Sequence, residues 1–343
     1  MARVLITGGA GFIGYHLGKA LVEDGYEVTL CDNLFRGKMD GDLAALCQRT
    51  NVHFLNCDLT APRSTEQLGV GYDYVYHLAA VNGTRYFYEM PHVVLRVNVL
   101  ALTNVLDWFV QAGCGKMLFA SSSEVYAGTA RSFGVAIPTP EDVPLVVDDI
   151  HNPRLSYAGS KMIGELLVLN YARAYGFPYT IVRYHNIYGP RMGHEHVIPQ
   201  FCLRILRRED PFPIYGADET RAFCYIDDAI RASQLVMECD ETNSCTLNIG
   251  NPHEEIAMVD LATLMFELFS FHPSVNIHPA PQGSVKRRCP DISRLTRLTG
   301  YRPQTTLRTG LVKTLLWNQK AVMLEEAQLE KSESARSGGQ MNG

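Results

Sequence analysis

The sequence predicts an α/β fold: a doubly wound parallel sheet followed by a smaller C-terminal α+β domain. Three observations predict it. Short apolar runs rich in β-branched and aromatic residues recur along the first half of the chain. Helical patterns separate several of them, and a glycine-rich turn follows the first run directly. Strands that alternate with helices build βαβ units, whose crossovers enforce parallel pairing.

The runs are "ARVLIT" (2–7), "YEVTLC" (26–31), "NVHFL" (51–55), "DYVYHL" (73–78), "GKMLFAS" (115–121) and "YTIVRY" (179–184). The clearest helical pattern between them is "VVLRVNVLALTNVLDWFV" (93–110). Residues 128–155 are rich in Gly, Pro and Asp and read as a long surface loop. Beyond residue 184 the pattern is mixed, with Pro190, Pro199, Pro211 and Pro213. We therefore expect a cofactor domain over 1–184 and a mainly substrate-binding domain over 185–320, partly interleaved with the first. The polar stretch from 321 to 343 is expected to be a disordered tail.

A chain of 343 residues, 46% of them hydrophobic, supports a sizeable packed core. A net charge of -5 offers no attraction to nucleic acid or a membrane surface. No signal-peptide layout opens the chain, and no apolar run reaches the roughly 18 residues of a bilayer span. The nine cysteines are scattered, with no CxxC pair and no Cys/His ligand spacing. They read as reduced thiols of a cytoplasmic protein without a metal site.

"TGGAGFIG" places Gly8, Gly11 and Gly14 directly after the first strand, with Phe12 and Ile13 opening the helix. Such a loop brings backbone close to a pyrophosphate, and the helix N-terminus favours the negative charge. Asp32, at the next strand end and beside Asn33, is placed to accept ribose hydroxyls and to repel a 2′-phosphate, which predicts NAD. Arg36 and Lys38 leave NADP open. Asp58, beside Leu59, either caps a turn or accepts from the adenine amino group. Leu78, Ala79 and Ala80 either admit the cofactor to the strand edge or simply pack tightly.

Ser122, Ser123 and Glu124 in "SSSEVY" follow the fifth strand, at the end where open parallel sheets bind ligands. Tyr157 and Lys161 in "SYAGSK" share one face of a helix. A lysine ammonium and a nicotinamide cation would both lower the tyrosine pKa, fitting Tyr157 for general-base work on a substrate hydroxyl, with Ser122 sharing that hydroxyl.

From Arg3 to about Trp317 the chain resembles the extended short-chain dehydrogenase/reductases of the nucleotide-sugar epimerase, dehydratase and decarboxylase group, a Rossmann family. The matching stretches are "TGGAGFIG", Asp32, "CDL", "HLAA", "SSSEVY", "YAGSK", "NIYGPR", "TRAFCYIDDAI", "LNIGNP" and "RRCPDISRLTRLTGYRP". The resemblance implies tightly held NAD, oxidation of a nucleotide-linked sugar at C4, and Tyr157, Lys161 and Ser122 as the proton-transfer set. It places Asn186, Arg221 and Arg288 around the substrate diphosphate, a role Arg287 fills equally well by position. It also implies a homodimer through a four-helix interface.

The fate of the 4-keto sugar turns on "SSSEVY". Simple 4-epimerases of the group carry a small residue at position 124, whereas decarboxylases and several 4,6-dehydratases resemble this stretch. Glu124 reads as a base at C5, as an organiser of a carboxylated sugar, or as a turn cap. Ser123, where the dehydratases have Asp, is a poor proton donor to a departing hydroxyl. "VNGTRYFYEMP" departs from the decarboxylases. It offers Arg85 either to an anionic sugar group or to a surface acid. His185, His194 and His196 are extra, and any one reads first as a core or solvated histidine. Decarboxylation or dehydration is expected; epimerisation, net 4-dehydrogenation and a non-catalytic NAD-binding regulator are the alternatives.

Overall fold

The computed structural model describes residues 1–281 and 283–338. Seven strands form one fully parallel sheet: β1 (Arg3–Thr7), β2 (Glu27–Asp32), β3 (Val52–Asn56), β4 (Tyr74–His77), β5 (Lys116–Ser122), β6 (Tyr179–Tyr184) and β7 (Cys245–Ile249). Their order is β3-β2-β1-β4-β5-β6-β7. The order reverses between β1 and β4, which opens a crevice at the carboxyl ends of those strands. The predicted α/β fold and all six predicted strands are present. The seventh comes from the C-terminal half, so the two expected domains interleave.

Apolar side chains pack on both faces of the sheet. One face carries α1 (Phe12–Glu23), whose Leu17, Leu21 and Val22 are buried. The other carries α2 (Pro91–Gln111) and α3 (Leu155–Tyr175), which pack along each other. By length and hydropathy α2 would span a membrane, contrary to the sequence expectation. Its Ala101, Leu102, Val105, Leu106 and Phe109 are instead buried on the sheet. Gly164 allows α3 to sit close: a Cβ there would lie 2.3 Å from the Phe119 ring of β5. That approach sets Tyr157 and Lys161 beside the end of β5.

Three short strands, Thr220–Ala222, Glu255–Ala257 and Arg287–Arg288, form a second sheet beyond the main one. Helix α4 (Ile226–Glu238) returns its apolar face to the core. The loop expected on the surface over 128–155 is not wholly there. Thr139 is buried and exchanges backbone bonds with Cys289 and Asp291, while Glu141 accepts from the β7 amide of Asn248 at 3.0 Å. Buried backbone needs partners, and this loop finds them by stitching the C-terminal part to the sheet. The disordered tail expected from 321 is also revised. Helix α5 runs Leu307–Gly338, through a stretch rich in Glu, Ala, Leu and Lys, which are strong helix formers. Residues 339–343 of that expected tail lie outside the described residues.

Candidate cofactor and substrate cleft

A cleft of about 910 Å³ lies at the carboxyl ends of the strands. At its cofactor end, Gly8 adopts φ +74°, a left-handed conformation suited to glycine. A Cβ on Gly14 would stand 2.2 Å from the Gly8 carbonyl oxygen, so the loop closes only without one. Asp32 accepts from Leu34 N at 2.8 Å and Ala10 N at 3.1 Å. Burial raises its pKa and these two amides pull it back. Asn33 accepts from Phe35 N at 3.0 Å, holding the segment after Asp32 in a turn. Asp58 caps its own turn, accepting from Thr60 N at 2.9 Å and Thr60 Oγ1 at 2.8 Å. Gly11, Phe12, Ile13, Leu59, Leu78, Ala79 and Ala80 line the same end. The narrow glycine turn, the carboxylate at the β2 end and the small strand-end residues fit a dinucleotide.

At the reaction end, Ser122 closes β5 and its Oγ accepts from Glu124 N at 3.2 Å. Tyr157 is buried and stacks on Phe87 at 5.1 Å, and Ser122 lowers its pKa. Lys161 Nζ donates to the Ala120 carbonyl at 2.7 Å and lies 5.7 Å from the Tyr157 ring centre. The expected lowering of the tyrosine pKa is not what this site shows. Burial raises it, the Glu124 charge raises it further, and Ser122 and Arg36 only partly oppose them. Burial also pushes Lys161 down to about 7, against the pull of Glu165. Burial thus works against the charged form of both groups.

Lys161 carries a pH signature. Its folded value lies below the ordinary 10.5. Between pH 7 and 10.5 the unfolded chain therefore binds the extra proton, and stability from this group rises with pH across that window. Melting curves of the ligand-free protein should show this rise, and Lys161→Met should flatten it.

At the substrate end, Glu124 accepts from Arg288 Nη1 at 2.6 Å, Arg288 Nη2 at 2.9 Å and Arg154 Nη2 at 3.2 Å. Burial alone would raise its pKa, but the two guanidinium groups override that and hold it well below the usual carboxylate range. Arg288, not Arg287, faces the cleft: Arg287 pairs with Glu255 on the surface. Ser123 and Asn186 also line it, Asn186 at φ +41° and bonded to the Ala222 carbonyl at 3.2 Å.

Arg221 stands behind the cleft lining. It bonds Glu219 at 2.8 Å and Ser284 at 3.2 Å, and burial pushes it down to about 10. Arg85 lies outside the cleft, exposed and paired at 2.7 Å with Glu89, its i,i+4 neighbour on the helix. Of the extra histidines, His194 and His196 line the cleft, and burial pushes His196 down to about 4. His185 is buried against Asn248 at 3.0 Å.

Sequence reasoning missed Arg154. Its signal was its place three residues before Tyr157, one helical turn away. It also missed the cleft-lining residues of α5, which lie at and beyond the end of the resemblance.

Residues 4–250 match the model of the NAD dependent epimerase/dehydratase family. A UDP-N-acetyl-alpha-D-glucosaminuronate decarboxylase from Bacillus cytotoxicus is 33% identical over 325 residues, covering 92% of this chain and 97% of the relative. A UDP-glucose 4-epimerase from Thermotoga maritima, solved with UDP-glucose, superposes with a TM-score of 0.82 at 29% identity, covering 93% of this chain and 99% of that one. A dTDP-glucose 4,6-dehydratase from Streptomyces venezuelae, solved with NAD, gives a TM-score of 0.83 at 28% identity, with 93% and 97% covered. The family match over most of the chain agrees with the glycine turn at β1 and the Ser122–Tyr157–Lys161 cluster: this chain belongs to the NAD dependent epimerase/dehydratase family.

Proposed function

We propose that the protein oxidises C4 of a nucleotide-linked hexuronate and then decarboxylates the 4-keto sugar. The observation that carries this is Glu124 clamped between Arg288 and Arg154. Dehydration needs a base at C5 and an acid at the C6 hydroxyl. A carboxylate held so far below its ordinary pKa is a weak base, and Ser123 is a weak acid. A 4-keto hexuronate is a β-keto acid and needs neither. The cluster of one carboxylate and two guanidinium groups also has one surplus positive charge. Arg154 Nε in it is buried without a hydrogen-bond partner among the described residues. The decarboxylase relative supports the same reading.

In this reading Tyr157 removes the O4 proton and Ser122 orients that hydroxyl. NAD, when bound on the glycine turn and Asp32, supplies hydride acceptance from C4 and its later return. The C5–C6 bond then breaks, carbon dioxide leaves, and the electron pair is held as a C4 enolate beside Tyr157. C5 takes up a proton to complete the step. Asn186 and Arg288 bind the diphosphate side of the substrate, and the strand of Arg288 pairs with that of Arg221.

The test is product mass. UDP-glucuronic acid and UDP-N-acetylglucosaminuronic acid should lose carbon dioxide. Loss of water from a neutral nucleotide sugar, or an unchanged mass with altered stereochemistry, would sink the proposal in favour of dehydration or epimerisation. Arg154→Leu should raise KM for the hexuronate about tenfold to a hundredfold while leaving the affinity for free UDP unchanged.

Leu95, Ile163 and Leu166 on α2 and α3 are exposed apolar residues on the paired helices. A second copy covering them in a four-helix interface is the assembly we propose, and a monomer mass in gel filtration would exclude it. The cysteines are unpaired among the described residues, which fits a reducing, cytoplasmic setting.

A further inference from the structure

The cofactor end of the cleft has a wall that the parallel sheet does not supply. Trp317, Asn318, Ala321 and Val322 of α5 line it. Asn318 is 1% exposed. Its Nδ2 donates to the Thr314 carbonyl at 2.8 Å, but its Oδ1 is buried without a partner among the described residues. An unpaired buried acceptor costs about 1–3 kcal/mol, so its persistence calls for a donor that arrives with a ligand.

A matching unpaired donor lines the same cleft. Arg191 lies 3.9 Å over the Tyr15 ring of α1 and bonds Asp40 through Nε at 3.0 Å and Nη2 at 2.9 Å. Its Nη1 is buried without a partner among the described residues. Asp40 also caps the helix Gly41–Leu46, and Trp317 Nε1 donates to Asp42 of that helix at 3.4 Å. Arg191, and Trp317 next to Asn318, are therefore tied to the segment that leaves Asp32, the acid that faces the adenosine ribose in this fold.

We propose that Asn318 and Arg191 form a subsite for the adenosine ribose of the dinucleotide, with α5 as its outer wall. Arg191 Nη1 as donor and Asn318 Oδ1 as acceptor would each pair with a ribose hydroxyl, which can both give and take a hydrogen bond. A 2′-phosphate would meet the Asn318 carbonyl oxygen as well as Asp32, so the subsite reinforces NAD over NADP. This inference rests on the dinucleotide occupying the cleft and is independent of the sugar reaction.

The experiment is calorimetric titration of the full-length protein, cleared of bound nucleotide, with ADP-ribose and separately with UDP. Asn318→Leu should weaken ADP-ribose about tenfold and leave UDP unchanged. ADP-ribose affinity within twofold of the wild type would overturn the subsite. If the wild type bound neither ADP-ribose nor NAD, the cofactor reading itself would fail, a separate result. Trp317 is one of two tryptophans, and the other, Trp108, is buried and bonded to the Gly69 carbonyl. ADP-ribose should change tryptophan emission, and Trp317→Phe should abolish that change. An equal change in Trp317→Phe would overturn the wall.

Discussion

Tyr157→Phe should reduce turnover by about a thousandfold, within the range a positioned acid–base group supplies. The phenol is buried, and phenylalanine keeps its stacking on Phe87, so the fold and the glycine turn should be undisturbed. The lost atom is the one that would take the substrate proton. Product formation and NAD affinity should be measured together. Unimpaired turnover in a variant that still binds NAD would remove Tyr157 from the chemistry. Burial opposes the charged form of both groups, raising the tyrosine pKa and pushing the lysine down to about 7. A nicotinamide cation bound beside Tyr157 would favour the phenolate.

Glu165→Ala should destabilise the protein by about 3–5 kcal/mol. Glu165 on α3 accepts from Arg183 Nε at 2.9 Å and Nη2 at 2.7 Å, and from Ser121 Oγ at 2.5 Å, all buried. Burial alone would lower the Arg183 pKa; Glu165 and Tyr126 raise it above its ordinary value, so it stays charged in the core. Removing the carboxylate strands a guanidinium between β6 and α3. Replacing both partners, Glu165→Leu with Arg183→Met, should recover most of the loss, because an apolar pair of similar volume has no desolvation cost. Urea denaturation separates the outcomes. Equal stability of Glu165→Ala and the wild type would mean that water reaches Arg183. The pair also anchors Ser121, next to Ser122, so its strength sets how firmly the end of β5 holds the reaction groups.

Much of this protein was legible in one dimension. The β1 run, the spacing of Gly8, Gly11 and Gly14, and Asp32 at the β2 end obey local rules of strand, turn and helix start. So does the placing of Tyr157 and Lys161 on one helical face. Such rules depend on neighbours a few residues away, which a sequence displays directly. The parallel sheet follows from the same alternation.

What the sequence could not decide was the state of each charge. Glu124 reads equally as base, organiser or cap until Arg154 and Arg288 are seen on it, from 30 and 164 residues away. Arg85 looked available to the sugar, and the fold turned it to Glu89. Lys161 looked like a standing positive charge, and burial brought it to about 7. Helix α5 closed a cleft that the sequence had left open. Backbone pattern is set by local sterics and the period of apolar residues, so the chain alone determined the fold and the cofactor turn. Proton affinity and reach depend on desolvation and on charges brought together across the whole fold, and only the tertiary structure decided those.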